Sequence, residues 1–225
     1  VNTKNIPKAV AVVGPTAAGK TKLGVEIAQK FNGEIISADS RQVFKYLDIS
    51  TGKDLADYGD VPYHLIDILE PSEEISVADF QKQAFSVIGK ILRRKKQPVI
   101  VGGSPFYVYA VTEGWKFPKL EKDEKLRKKL NKMTLQELRN ILQKIDPAAF
   151  DRIDQKNPRR LIRAIEICTL SGHDFEHAKP VAQPRYKVLM LGIKYSNEEL
   201  KERIKTRLDQ RLNDGMIEEI QKIIK

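Results

Sequence analysis

Ala9-Val10-Ala11-Val12-Val13-Gly14-Pro15-Thr16-Ala17-Ala18-Gly19-Lys20-Thr21 decides the fold of this 225-residue chain. The first five residues are wholly apolar and bounded by Lys8 and Gly14, the pattern of a short parallel strand buried on both faces. The next eight complete the spacing GxxxxGK[ST]. Thr21 to Phe31 then places Leu23, Val25, Ile27, Ala28 and Phe31 at helical intervals, and Asn32-Gly33 ends the run. A glycine-rich loop between a buried strand and a helix is a phosphate loop. Gly14 and Gly19 admit backbone conformations that a β-carbon hinders. The loop N–H groups and the helix N-terminus converge on an anion. Lys20 adds a mobile positive charge, and Thr21 offers a hydroxyl to Mg²⁺.

Outward from the loop, Glu34 to Asp39 reads as a second strand and Pro98 to Gly103 as a third. Val77 to Arg94 between them is an amphipathic helix capped by Ser76. Residues 40–74 look irregular and polar. This alternation predicts an α/β fold, a P-loop NTPase-like core built on a parallel sheet. The character changes after Trp115. Residues 119–145 are rich in Lys, Glu, Leu and Arg at helical spacing. Asp146-Pro147 and Asn157-Pro158 restart helices, Ser171-Gly172 stops the last, and no strand is expected between about 116 and 184. Tyr186 to Ile193 returns as an apolar strand, and Asn197 to Lys225 as a long helix interrupted near Asn213-Asp214-Gly215. The expected organisation is a P-loop core over 1–115, a helical insertion domain over 116–184, and a return to the core over 185–225. The last residues still read as helix without a C-cap, so a chain truncated at its C-terminus is expected.

Hydrophobic residues make up 41% of the chain and charged residues 31%, a globular composition. No apolar run approaches the ~18 residues that span a bilayer, and residues 1–8 lack a signal-peptide core. The single cysteine, Cys168, sits in an apolar helical pattern and reads as a core residue. These features predict a cytoplasmic protein with no membrane partner. The net charge of +10 is unevenly placed: residues 1–115 carry +1 and residues 116–225 carry +9. A basic second half suits a polyanion such as nucleic acid, or else a lysine-rich solvated surface.

The phosphate loop leaves the reaction open. A kinase transfers the phosphoryl group, a switch hydrolyses a nucleotide, and a third kind of enzyme holds diphosphate as a leaving group. Asp39 falls at the carboxyl end of the second strand, the edge where open α/β sheets build their sites. A carboxylate there can accept a proton, hold Mg²⁺ through water, or cap a helix. His64, after Val61-Pro62, reads as a structural histidine rather than a catalyst.

Several segments together resemble the tRNA dimethylallyltransferases, also called isopentenyltransferases. They are Gly14 to Thr21, Asp39-Ser40-Arg41-Gln42-Val43-Phe44, Asp48 to Lys53, His64-Leu65-Ile66-Asp67 and Val101 to Tyr107. The second half adds Asp146 to Ala149, Asn157 to Glu166, and Arg203 through Glu219. The order is that of the family and nearly the whole chain is covered. The resemblance implies transfer of the dimethylallyl group of dimethylallyl diphosphate onto N6 of adenine 37 in the anticodon loop of tRNA. Gly14, Pro15, Thr16, Ala17, Ala18, Gly19, Lys20 and Thr21 would hold the departing diphosphate. Mg²⁺ is the implied cofactor, held by Thr21, with Asp39 through water. Asp39 matches the family's base, and Ser104 stands where most members carry a catalytic threonine. Arg127 matches an arginine near the diphosphate. Asp39, Ser40, Arg41 and Gln42 match one tRNA-contacting segment, and Arg159, Arg160, Leu161, Ile162 and Arg163 match a second. Arg160 and Arg163 are three residues apart and share a helical face. A monomer is expected.

Three other readings compete. A small-molecule P-loop kinase would use the 116–184 insertion as a lid. A prenyltransferase acting on free adenine nucleotide would have no need of the basic insertion. An RNA-binding module with a decayed site would not retain Lys20, Thr21 and Asp39.

Overall fold

The computed structural model describes residues 6–117, 123–172, 174–175 and 180–224. In chain order the elements are β1 (Lys8–Val13), α1 (Lys20–Lys30), β2 (Gly33–Ser37), α2 (Asp48–Thr51), β3 (Tyr63–His64), α3 (Val77–Arg93), β4 (Gln97–Gly102), α4 (Pro105–Thr112) and β5 (Trp115–Lys116). They continue as α5 (Glu124–Leu130), α6 (Leu135–Ile145), α7 (Pro147–Arg152), α8 (Pro158–Ser171), β6 (Val181–Ala182), β7 (Lys187–Gly192), α9 (Asn197–Asn213) and α10 (Met216–Ile224). The contacts divide the chain into two units. One joins Val1–Trp115 to Gln183–Lys225, and the other is Lys116–Ala182.

The first unit is built on a five-stranded sheet in the order β3-β2-β4-β1-β7, parallel at every pairing. Alternation along the strands sends side chains to two faces. Ala9, Ala11, Ile36 and Ile100 pack with Phe80, Ala84, Ile88 and Ile91 of α3 and with Val108 and Val111 of α4. Val12, Ile35, Val99 and Val101 pack on the other face with Val25 and Ala28 of α1 and with Tyr58. Helices on both faces of a parallel sheet explain why the middles of its central strands, such as Ile35-Ile36 and Val99-Ile100-Val101, are apolar on both sides. All connections leave the carboxyl ends of β1, β2 and β4 on one edge, where Gly14, Asp39 and Ser104 follow.

The four strands expected from the sequence are present. The structure adds β3, and it adds β6 inside the stretch expected to hold no strand; β5 and β6 form a separate two-stranded sheet. β3, β5 and β6 are each two residues long and carry no readable alternation, which is why none of the three was legible. The irregular stretch also contains α2 and a 3₁₀ turn over Leu55–Tyr58.

At the opposite end of β2, Glu34 is almost fully buried and serves three nitrogen-bearing partners. Arg94 donates to it through Nε at 3.0 Å and a terminal nitrogen at 2.6 Å, His64 Nε2 lies at 2.7 Å, and Lys96 Nζ at 3.3 Å. Burial pushes its carboxyl up, but the hydrogen bonds from Arg94, His64 and Lys96 outweigh that and bring it down to about 2. His64 is thus a structural partner at the sheet. Because the folded value lies below the ordinary 4.5, Glu34 stabilises the fold fully above that pH. The contribution, on the order of 3 kcal/mol, disappears as pH falls from about 4.5 toward 2. Urea denaturation of wild type and Glu34→Gln across this range should show the two curves converging in acid. A gap of constant size would refute the assignment.

The second unit has its own core of Leu130, Leu138, Leu142, Ala149, Leu161, Ala164 and Ile165. Its helices begin with side-chain caps at Asp123, Thr134, Asp146 and Asn157, and Thr134 with Glu137 forms a reciprocal capping box. Cys168, expected in the core, is only half-buried, with Sγ 3.8 Å from Asp146 Oδ2.

Candidate active site

The loop after β1 adopts the strained geometry its glycines foreshadow. Gly19 has φ +79°, and Ala17 also lies in the left-handed region at +61°, a conformation costly for a residue with a β-carbon. Strain of this kind persists where the surroundings over-determine it. Lys20 Nζ donates to Pro15 O at 2.6 Å, folding the lysine back across the loop. Burial pulls the Lys20 ammonium below the ordinary lysine range. Asp39 opposes that shift, and Arg207 adds to it. Lys20 therefore feels both the carboxylate at the end of β2 and an arginine of α9.

Thr21 reaches toward Tyr58. Burial raises the Tyr58 hydroxyl to about 12, against a side-chain hydrogen bond from Thr21. Asp39 is half-buried, and its Oδ1 accepts the Arg41 N–H at 2.8 Å. Ser104 caps the approach from β4. Its Oγ accepts the Ser40 N–H at 2.9 Å and lies 3.2 Å from Ser40 Oγ, and its own N–H donates to Ala38 O at 3.3 Å. Ser104 thereby ties the β4 exit to the turn that carries Asp39.

Gln42 is buried. It accepts from Ser37 Oγ at 2.8 Å and donates to Gly52 O at 2.8 Å. Lys53, fully buried, binds the carboxylates of Asp48 and Asp67. Glu219 of α10 accepts the backbone N–H groups of Asp48, Ile49 and Ser50 at 2.7 to 2.9 Å. This polar lattice, together with Val43 and Phe44 packed into the core beneath the sheet edge, holds the segment between Asp39 and Asp54 in place.

One cleft of about 780 Å³ gathers the loop residues Thr16 to Lys22 with Asp39, Arg41 and Gln42, the segment Ser50 to Gly52, and Arg203, Arg207 and Arg211 of α9. Ser104 is not among its lining residues and supports the wall through Ser40. Arg203 Nε donates to Ala17 O at 2.8 Å, and its guanidinium stacks 4.5 Å from the Tyr195 ring. Arg207 pairs with Asp54 and donates to Gly52 O at 3.4 Å. These arginines recur every fourth residue, so one face of α9 carries all three. The spacing was visible in the sequence, but it does not say whether the face meets a cleft or solvent. A larger cavity, about 1060 Å³ and lined by Tyr46, Pro71 and residues of α10, has neither a glycine loop nor a strand-end carboxylate.

The remaining predicted residues belong to the helical unit. Arg127 forks onto Glu166, with Nε 2.6 Å and a terminal nitrogen 2.8 Å from its oxygens. Arg163 lies 3.4 Å from the same buried carboxylate. Arg159, Arg160 and Arg163 are exposed on α8. Leu161 and Ile162, expected with them at the nucleic acid, prove different. The Leu161 side chain is fully buried, and Ile162 packs against the same helical core. They anchor the helix that presents the arginines.

Among the described residues no cluster of three or more His, Cys, Asp or Glu side chains is set to hold a metal. Thr21 and Asp39, both lining the cleft, are donors that suit Mg²⁺, which retains waters and takes substrate phosphate oxygens. No helix among the described residues is long and apolar enough to cross a membrane.

The model of the IPP transferase family matches residues 42–225. The tRNA dimethylallyltransferase 2 of Shewanella sediminis is 46% identical over 215 residues, covering 96% of this chain and 71% of the relative. The tRNA dimethylallyltransferase of Treponema pallidum is 43% identical, covering 94% and 68%. A crystal structure of the tRNA isopentenylpyrophosphate transferase of Bacillus halodurans superposes with a TM-score of 0.68 at 40% identity, over 98% of this chain and 70% of that one. A eukaryotic dimethylallyltransferase acting on tRNA gives a TM-score of 0.84 at 28% identity, over 97% and 56%.

Proposed function

The chain belongs to the IPP transferase family, the tRNA dimethylallyltransferases, and from that premise we propose that it moves the dimethylallyl group of dimethylallyl diphosphate onto N6 of adenine 37 in tRNA. The observation that carries this reading is the joining of a phosphate loop to a strand-end carboxylate in one cleft. Lys20 and Asp39 line the same cleft and the Asp39 charge acts on the Lys20 ammonium, so a leaving anion and an attacking amine can be served side by side.

The exocyclic N6 amine is a weak nucleophile because its lone pair is drawn into the ring. Asp39 takes its proton as it attacks C1 of the allylic chain. The C1–O bond breaks, and the departing diphosphate takes the electron pair. The loop N–H groups, Lys20 and the guanidinium group of Arg203 stabilise the charge that develops there. Thr21, and Asp39 through water, would hold Mg²⁺, which would supply further neutralisation of the diphosphate. Ser104 fixes the turn that carries Asp39. The adenine must leave its stack to enter the cleft, and Ser40, Arg41 and Gln42 line its way in. In the helical unit, Arg127 is held in a fork on Glu166 and is assigned the diphosphate role that the resemblance implies, while Arg159, Arg160 and Arg163 take phosphates or stacked bases of the anticodon loop. The enzyme acts as a cytoplasmic monomer.

Incubation with dimethylallyl diphosphate, Mg²⁺ and tRNA bearing A36-A37-A38, followed by nucleoside mass analysis, should yield prenylated adenosine. ADP formed from ATP and a small metabolite would instead establish a kinase. The +9 charge of residues 116–225 makes tRNA affinity fall steeply with salt. If about four phosphates are neutralised, log K should drop with a slope near −3 against log salt. An affinity indifferent to salt would remove the basic half from the binding footprint.

A further inference from the structure

Arg211 is the one cleft arginine of α9 whose charge is left unanswered. Arg203 has the Ala17 carbonyl and the Tyr195 ring, and Arg207 has Asp54 and the Gly52 carbonyl. Arg211 has no hydrogen bond or ion pair among the described residues, and its Nε is sealed from solvent without a partner. An unpaired buried guanidinium nitrogen is expensive, and such a group calls for a ligand. Its surroundings add to the cost. Burial and then Arg207 hold its charged form down, while the carboxylates of Asp54, Asp39 and Glu219 only partly offset them. Glu219 gives its oxygens to the backbone of α2.

Its position says which anion. Arg203 is at the phosphate loop, and Arg211 is eight residues further along the helix, about 12 Å at 1.5 Å per residue. A diphosphate seated in the loop is far shorter than that. The Arg211 guanidinium lies instead against Gly52, where an added β-carbon would collide with it. Gly52 is left-handed at φ +60°, and its carbonyl accepts from Gln42. Arg211 therefore belongs to the end of the cleft where Arg41 and Gln42 stand, the acceptor side.

We propose that Arg211, seated against Gly52 beside Gln42, binds a backbone phosphodiester of the RNA next to the nucleotide being modified. The inference rests on the prenyl-transfer reading for the identity of its acceptor. A planar fork of donors suits a phosphate oxygen pair. The glycine at position 52 is what leaves it room.

The test uses Arg211→Met, which keeps an unbranched stem of similar length and removes the charge, and Arg211→Lys, which keeps the charge and removes the fork. Thermal melts establish that each variant is folded. Filter binding of tRNA without prenyl donor should show Arg211→Met weaker by about ten- to a hundredfold. The slope of log K against log salt should be shallower by about 0.7 to 0.9. Arg211→Lys should keep the slope and lose part of the affinity, and it serves alone if the methionine variant does not fold. In steady-state assays KM for tRNA should rise while KM for dimethylallyl diphosphate holds. A rise confined to KM for dimethylallyl diphosphate, or tRNA binding equal to wild type in both variants, overturns the proposal. If wild-type protein binds tRNA but transfers no prenyl group, the reaction assignment fails by itself, since the binding arm requires no chemistry.

Discussion

Asp39→Asn should lower prenyl transfer by about a hundred- to ten-thousandfold while tRNA binding stays within a few fold of wild type. The asparagine keeps a carbonyl oxygen where Asp39 Oδ1 accepts the Arg41 N–H, so the turn over residues 39–41 survives. What disappears is a group able to take the N6 proton. Asp39→Ala should be as inactive but should also loosen the turn, and comparison of the two separates chemistry from positioning. Asp39 is one of the influences that keep the Lys20 ammonium from falling further below its ordinary range. Its neutralisation should therefore let Lys20 lose its proton at lower pH, narrowing the alkaline side of any residual activity. Single-turnover transfer with saturating tRNA and dimethylallyl diphosphate gives the decisive number. A loss smaller than tenfold in that assay would mean that Asp39 is not the base.

How much of this was legible in the sequence depends on what kind of force holds each part. The β1–loop–α1 unit could be read because apolar burial and glycine geometry are local properties: Ala9 to Val13 has no polar residue, and Gly19 stands at the position with φ +79°. Asp39 was legible as a strand end once Glu34 to Ser37 was a strand. The segment from Ser40 to Asp67 was not. Its order comes from scattered core anchors, Val43, Tyr58, Val61, Leu65 and Ile66, together with the buried polar side chains Gln42 and Lys53 and the bonds of Glu219, and such a mixture without helix or strand period looks like a solvated loop until it is assembled. The arginines of α9 show a third case. Their four-residue spacing fixes that they share a face, yet α9 buries none of its residues, so no apolar stripe announced which way the face would turn. Leu161 and Ile162 mark the opposite error. A segment matched as a block to an RNA-contacting stretch alternates in role, with exposed arginines on one side of α8 and core residues on the other. Helical periodicity applied to the block would have separated them.

Lys20→Met should cost about a hundred- to a thousandfold in kcat for prenyl transfer, with a smaller rise in KM for dimethylallyl diphosphate. The asymmetry follows from when the charge matters. In the ground state the loop amides already meet the diphosphate, and Lys20 carries a hydrogen bond to Pro15 O that it must exchange for a phosphate oxygen. As the C1–O bond breaks, the leaving group gains negative charge, and a cation half-withdrawn from water interacts with it more strongly than one in bulk solvent. Methionine fills the same space without that charge, so the loop should keep its shape. Lys20→Arg should recover little, because a planar fork does not fit where a single ammonium is enclosed by Pro15, Gly103 and the loop backbone. The double variant Lys20→Met with Asp39→Asn sharpens the test. The two groups lie within electrostatic reach of each other and serve one transition state, so their losses should not multiply. The double variant should fall well short of the product of the single losses. Fully multiplicative losses would show that proton removal and leaving-group stabilisation are independent in this cleft, and the coupling of Lys20 to Asp39 would then be incidental to catalysis.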